Sequence, residues 1–154
     1  MTEPAPNPDQ PHGGTLETSL PAALWSIARA IEFTKRSLKE LGCPPSAQTS
    51  LVVIVDEIAS NIAKFAYGES GGDVTIRISA KPDECDIEIA FIDEGVAFNP
   101  LEAHAADAAS IVENRRMGGQ GIRIARKLAD EMEYERRDGK NFLRIRKRVG
   151  RWPG

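Results

Sequence analysis

The sequence predicts an α+β domain, a two-layer α/β sandwich whose mixed, mostly antiparallel sheet carries its helices on one face. Apolar residues recur at helical spacing over two long stretches, and the period then changes to the alternation typical of half-buried strands. The pair Asp138-Gly139 lies between two further strand-like stretches and is a strong signal for a two-residue hairpin. The predicted order is β-α-α-β-β-loop-α-β-β.

The first half of the chain supplies a short strand and two helices. Residues 15–20 predict the strand, and Pro21 is expected to open the first helix because proline suits the first helical turn. Gly42 and the prolines after it predict the end of this helix, and Ser46 is the expected N-cap of the second. The two apolar stripes are Leu24, Ile27, Ile31, Leu38 and Leu41 in the first helix, and Leu51, Ile54, Val55, Ile58, Ile62, Phe65 and Ala66 in the second.

The second half supplies four strands and a third helix. Alternation over residues 74–80 and 87–93 predicts two strands, residues 121–131 the helix, and residues 133–137 and 141–149 the hairpin. Residues 94–117 show no clear period, and a loop of that length is typical of a lid or binding loop. Arginines alternate along the last strand, which indicates either a solvated strand face or a basic edge that binds a partner.

Composition restricts the class of protein. The net charge of -3 argues against a general nucleic-acid binder, and no apolar stretch approaches the roughly 20 residues of a membrane helix. Residues 1–14 resemble a disordered tail rather than a secretory signal, which leaves residues 15–150 as one domain. Cys43 and Cys85 fit no metal-ligand spacing, so we expect reduced thiols in a cytoplasmic protein, with a single disulfide as the alternative.

Three positions break the apolar patterns. Glu57 and Asn61 are one turn apart at the rim of the second helix's stripe, where a carboxylate and an amide oxygen can hold a hard cation. Asp93 continues the core-facing phase of its strand, where a buried carboxylate needs a donor such as an exocyclic amino group, and Gly95 follows it. Taken singly, these residues also fit a solvated helix edge and a capped strand end.

The third position is the stretch MGGQGIRIARKLADE, in which Gly118, Gly119 and Gly121 precede a helix. A helix start offers free N–H groups and a positive dipole end, which suit a phosphate, although an ordinary turn needs glycine too. In chain order the three positions supply a metal ligand and base, an adenine contact and a phosphate cradle. Together they predict an ATP site, and it is not a Walker A site because no G-x-x-x-x-G-K-[ST] occurs.

These stretches carry a family resemblance. DEIASNIAKFAY, IDEGVAFNP and MGGQGIRIARKLADE resemble the N box and the two glycine boxes of the GHKL ATPases and kinases, and the short single domain resembles the bacterial anti-sigma-factor serine/threonine kinases. The resemblance covers residues 15–149. It implies a Bergerat-type fold that binds Mg-ATP under a lid of about residues 94–117.

The resemblance also implies roles for individual residues. Asn61 would bind Mg²⁺, Glu57 would be the general base, and Asp93 would bind the adenine amino group. The remaining nucleotide contacts would come from Gly95, Phe98, Gly118, Gly119, Gln120 and Gly121. The implied partners are a small anti-anti-sigma protein that receives the phosphate on a serine, and a sigma factor. A homodimer is possible by analogy, and neither direct nucleic-acid binding nor a membrane is expected.

Departures from the family pattern leave alternatives open. Ala97 replaces a glycine that relatives often carry, Phe65 stands where relatives often have histidine, and Arg123 stands where many have an apolar residue. The alternative to a kinase is therefore a module that binds nucleotide and sequesters a partner without significant kinase activity. A histidine-kinase ATP domain, another GHKL ATPase or an unrelated α/β domain are the further candidates.

Overall fold

The computed structural model describes residues 14–99 and 119–152. The predicted tail up to residue 13, residues 100–117 of the predicted lid and Gly118 lie outside them. Short 3₁₀ turns at Leu24–Ser26 and Pro82–Glu84 join neighbouring elements, and the described elements follow the predicted order. They are β1 (Gly14–Pro21), α1 (Ile27–Glu40), α2 (Pro45–Phe65), β2 (Asp73–Lys81), β3 (Asp86–Asp93), α3 (Gly119–Leu128), β4 (Glu131–Arg137) and β5 (Lys140–Arg148).

The five described strands form one sheet in the order β1-β2-β3-β5-β4, and all four neighbouring pairs are antiparallel. One face of the sheet shares a single hydrophobic core with the three helices, which confirms the predicted fold class. The hairpin between β4 and β5 is also confirmed. Asp138 has φ 54° and Gly139 has φ 75°, the left-handed values that a tight hairpin turn requires of its two central residues.

The strand register places a carboxylate on the buried face. Val74 pairs with Asp93 and Ile76 with Phe91, so the apolar side chains of β2 and β3 lie on the same face as Asp93. Asp93 is 6% exposed, as its phase along the strand predicts. The last residue of β3 therefore presents its side chain at the boundary between the sheet and the helices.

The predicted apolar face of the first helix is buried only in part. Leu38 and Leu41 are buried as expected, but Leu24 lies before α1 and is 57% exposed. Ile27 and Ile31 are half-buried, while Phe33 and Thr34 are buried. The Thr34 hydroxyl donates to the carbonyl of residue 30 at 2.7 Å, so a polar side chain is accommodated without an unsatisfied donor. The spacing of apolar residues could not predict that a threonine would be buried on this face of the helix.

Two predicted helix starts were wrong. Pro21 is the last residue of β1, opposite Asp73, and the 3₁₀ turn follows it before α1 begins at Ile27. Proline is tolerated there because the end of an edge strand can dispense with an N–H donor. Helix α2 begins at Pro45, with Pro44 rather than Ser46 at the N-cap, since proline at the first position has the φ angle of a helix already.

The arginines of β5 lie on the sheet face opposite the core. Strand β5 is between β3 and β4, so it is an interior strand and not an edge. Arg146 pairs with Asp86 and Glu84 at 2.6 Å each and with Glu131 at 3.2 Å. Arg144 also approaches Glu133 on β4. This arrangement favours the solvated-face interpretation, because carboxylates on adjoining segments neutralise the charge.

Both cysteines are free thiols. Cys43 is buried at the end of the helical layer, and burial raises the pKa of its thiol to about 11, so it stays protonated at neutral pH. Nearby, the buried indole of Trp152 donates to the carbonyl of Leu41 at 3.1 Å and adds to the core after β5 has ended. In the described ranges, no helix has the length and apolarity that crossing a membrane requires.

Candidate functional site

Helix α2 carries Glu57 and Asn61 on one side, both half-buried. Asn61 lines a pocket between the helices and the sheet, and its amide faces the same pocket as Asp93. No ion pair to Glu57 occurs within the described residues. In this part of the chain, the carboxylate is therefore not held by a cationic side chain.

The start of α3 stands directly against Glu57. A β-carbon built on Gly121 would lie 2.4 Å from the Glu57 Oε2 atom, so any larger residue would displace the carboxylate from its present position. Helix α3 begins at Gly119, and the N–H groups of its first turn have no intrahelical acceptor. The structure thus brings two of the predicted stretches together, with a site suited to an anion beside a candidate base.

Asp93 is held from one side. Its Oδ1 atom accepts hydrogen bonds from the Gly95 backbone N–H and from Asn141 Nδ2, each at 2.9 Å. Among the described residues, no donor reaches Oδ2. The carboxylate is thus fixed in orientation and keeps one acceptor for a ligand in the pocket that it lines.

Gly95 is required for a contact between loop and helix. A β-carbon at this position would lie 2.2 Å from the backbone oxygen of Ala66, which also accepts a hydrogen bond from Val96 N at 2.8 Å. The side chain of Arg136 on β4 donates to the Gly95 carbonyl at 2.7 Å. Close approach of a base ring at Gly95 stays a prediction, but the helix contact already excludes a side chain.

Tyr67, just after α2, holds the other end of the same loop. Its hydroxyl donates to the Asp73 carbonyl and accepts from the Glu94 backbone N–H, both at 2.7 Å. Burial raises the pKa of this phenol, with a smaller contribution from nearby carboxylates. The segment after Asp93 is thereby tied to α2 at one residue and to the hairpin at the next.

The pocket has about 450 Å³ of space, including the part that opens to solvent. Phe98 lies at the wall and is 42% exposed. The pocket collects side chains from α2, β3, α3 and the hairpin, among them Ile58, Asn61, Ile62, Asp93, Ile122 and Leu143.

Two further polar residues line the pocket, and sequence reasoning missed both. The Tyr134 hydroxyl donates to Asn141 Oδ1, and Asn141 Nδ2 donates to Asp93 and to the Val96 carbonyl. Asn141 occupies the core-facing phase of β5 together with Leu143 and is 6% exposed. A polar residue at a core position of a strand is the signal that could have identified it.

Of the other predicted site residues, Gly119 and Gln120 form the first turn of α3. Gly118 falls in the part of the chain that the structure does not describe. The predicted site residues that the structure describes therefore lie in two places, at the contact between Glu57 and Gly121 and in the pocket at Asp93. Asn61 lines this pocket and is one helical turn from Glu57.

Comparison with known proteins decides the family. The sequence profile described as the histidine kinase-like ATPase domain matches residues 20–147, most of the chain. The chain belongs to this family. The match begins in β1 and ends in β5, so it includes every element that lines the pocket.

One related protein and one solved structure are informative. The serine/threonine-protein kinase BtrW of Bordetella bronchiseptica is 27% identical over 96 residues, which are 62% of this chain and 67% of that protein. The crystal structure of the RsbU and RsbW domains of Rv1364c from Mycobacterium tuberculosis matches with a TM-score of 0.60, 16% identity and 92% of this chain covered. The chain spans about a third (35%) of that longer protein, and the match shows the fold alone.

Proposed function

We propose that this ATPase domain is an anti-sigma-type serine/threonine-protein kinase that uses Mg-ATP to phosphorylate a small anti-anti-sigma protein in the cytoplasm. The observation that carries the proposal is the Glu57 carboxylate, which has no ion pair among the described residues and lies against Gly121 at the start of α3. A base beside a helix N-terminus suits a reaction in which a hydroxyl loses its proton next to a bound phosphate. The name of the relative from Bordetella bronchiseptica also supports kinase chemistry.

In this mechanism, Glu57 accepts the proton of the substrate serine as its oxygen attacks the γ-phosphorus. The bond from the γ-phosphorus to the bridging oxygen breaks, and ADP leaves. The N–H groups at the start of α3, with Gly118, Gly119, Gln120 and Gly121, hold the phosphates in line for the attack. When bound, Mg²⁺ neutralises charge on the phosphate oxygens.

The donor set fits both ligands. The Asn61 amide offers the oxygen that Mg²⁺ prefers, and a cation that keeps several waters and binds phosphates needs few protein ligands. Asp93 Oδ2 offers an acceptor to the adenine amino group, with Gly95 hydrogen-bonded to the same carboxylate and Phe98 at the pocket wall. Through the phosphorylated partner, the kinase would control the release of a sigma factor. By analogy with the family, it would act as a homodimer.

A second candidate function is a nucleotide-binding module that sequesters a partner without significant transfer. Ala97 favours it, because this residue stands where relatives often carry a glycine of the first glycine box. Both candidates require the same nucleotide pocket. They differ only in whether Glu57 takes part in turnover.

The test is to titrate Mg-ATP and Mg-ADP into the protein by calorimetry, with and without EDTA, and then to follow transfer of the γ-phosphate to anti-anti-sigma proteins of the same genome. We expect binding that weakens with EDTA, with Asn61→Ala and with Asp93→Asn, and a phosphoserine on one partner. Binding without transfer to any partner would favour the sequestering module. No binding under either condition would contradict both functions.

Substitution of Gly121 by alanine gives a more selective prediction. The new β-carbon displaces the flexible Glu57 carboxylate while the helix backbone is retained, so we expect stability within about 1 kcal/mol of wild type, because alanine favours the helix. Phosphoryl transfer should fall about tenfold to hundredfold because the base is misplaced. Single-turnover transfer and thermal unfolding measure the two effects, with Ile124→Ala on the exposed side of α3 as the control.

A further inference from the structure

Asn141 uses both of its N–H donors and its carbonyl oxygen inside the pocket. An asparagine amide has two N–H donors and one carbonyl acceptor. The donors reach Asp93 Oδ1 and the Val96 carbonyl at 2.9 Å each, and the carbonyl accepts from the Tyr134 hydroxyl. Asn141 and Asp93 are each 6% exposed, so solvent offers little competition.

The partners determine which way the amide points. With the amide reversed, the Asn141 oxygen would face two acceptors, a carboxylate and a carbonyl, and the NH₂ group would face the Tyr134 hydroxyl. Only the observed orientation satisfies both acceptors. Tyr134, on the edge strand β4, completes this arrangement by occupying the amide oxygen, which would otherwise be buried without a donor.

The fixed amide in turn fixes Asp93. The Asp93 Oδ1 atom accepts hydrogen bonds from Asn141 and from Gly95 N. The Oδ2 atom is therefore the acceptor that can hydrogen-bond to a ligand. A base with an amino group at this edge donates to Oδ2. A base with a carbonyl oxygen at this edge would place one acceptor opposite another, so no hydrogen bond could form. Leaving a buried acceptor without a donor costs binding free energy.

The same amide connects base recognition to the loop. Asn141 Nδ2 holds the Val96 carbonyl, Arg136 holds the Gly95 carbonyl, and Val96 N donates to Ala66. Val96 also lines the pocket. A displacement of Asp93 therefore disturbs the hydrogen bonds that hold the backbone of Gly95 and Val96.

We propose that Asn141, oriented by Tyr134, is a positioning residue that makes the pocket selective for a 6-amino purine nucleotide and couples base binding to the backbone at Gly95 and Val96. The inference rests on the proposed nucleotide-binding function. It adds the pair Asn141 and Tyr134, which orients Asp93 and connects it to the loop backbone.

The experiment compares Kd for ATP and for inosine triphosphate, which has an oxygen in place of the amino group. We expect wild-type protein to prefer ATP by at least about tenfold. In Asn141→Leu, which keeps the side-chain shape, the preference should fall at least about fivefold, and in Tyr134→Phe about twofold to threefold. Phe142→Leu, at the neighbouring position on the opposite sheet face, should keep the wild-type ratio.

Amide hydrogen exchange at Gly95 is the second readout, since its N–H donates to Asp93 Oδ1. In the absence of nucleotide, this exchange should be faster in Asn141→Leu and in Tyr134→Phe than in the wild-type protein. If the variants only loosened the pocket, the affinities for ATP and inosine triphosphate would fall equally and the ratio of the two Kd values would not change. That result, or an unchanged exchange rate at Gly95, would overturn this inference and leave the proposed function standing. Wild-type protein that binds neither nucleotide would overturn the proposed function and this inference together.

Discussion

Replacement of Glu57 by glutamine is expected to leave nucleotide binding within about twofold of wild type and to lower phosphoryl transfer by about 10²–10⁴-fold, the usual contribution of a general base. Glutamine keeps the shape of the side chain beside Gly121 but cannot accept the serine proton. The measurement is calorimetric Kd for Mg-ATP together with single-turnover transfer to the partner protein.

The neighbouring carboxylate provides a matched control. Asp56 lies on the same helix, also half-buried, and accepts a hydrogen bond from the Ser60 hydroxyl. Asp56→Asn should keep both binding and transfer. Loss of binding and transfer together in Glu57→Gln would argue against the base role, and full turnover in that variant would exclude it.

Replacement of Gly95 by alanine is expected to destabilise the fold by about 1–3 kcal/mol, the usual cost of overpacking, and to abolish nucleotide binding. The new β-carbon would meet the backbone oxygen of Ala66 at 2.2 Å, and neither backbone can rotate away as a flexible side chain could. Relief of the clash requires the loop to leave α2, which breaks the Val96–Ala66 hydrogen bond and shifts the wall of the pocket.

Gly68→Ala is the control for this prediction. Gly68 lies on the same side of the fold, just after α2, and no atom lies within 4 Å of an added β-carbon. Urea unfolding and calorimetry on the two variants separate a general cost of replacing glycine from the specific clash. Equal stability and equal binding in both would show that the Gly95 contact is dispensable.

The element order, the strand phases and the hairpin could be predicted because each depends on local spacing. The alternation through Val74, Ile76 and Ile78 needs no knowledge of neighbours, and neither does the left-handed turn that Asp138-Gly139 favours. The same alternation of inward and outward side chains predicted that Asp93 would be buried. The candidate base and the candidate metal ligand were likewise recognisable as a pair one helical turn apart.

The errors lie where a tertiary contact competes with a local rule. Pro21 and Ser46 have good local reasons to begin helices, but pairing of β1 with β2 extends the strand through Pro21, and α2 begins at Pro45, two residues earlier than an N-cap at Ser46 implies. Thr34 can be buried because its hydroxyl is satisfied within α1. Such outcomes depend on what packs against each residue, which spacing does not encode.

By itself, the sequence predicted the α+β order from residue type and period. It also carried the family resemblance and the three stretches that we propose bind a nucleotide. Only the tertiary structure decided how they meet. Gly121 reaches Glu57, Gly95 reaches Ala66, and Asn141 reaches Asp93 across 48 residues of chain. The physical reason is that these contacts join elements distant in sequence, and their hydrogen bonds and close approaches exist only after the sheet and helices have packed.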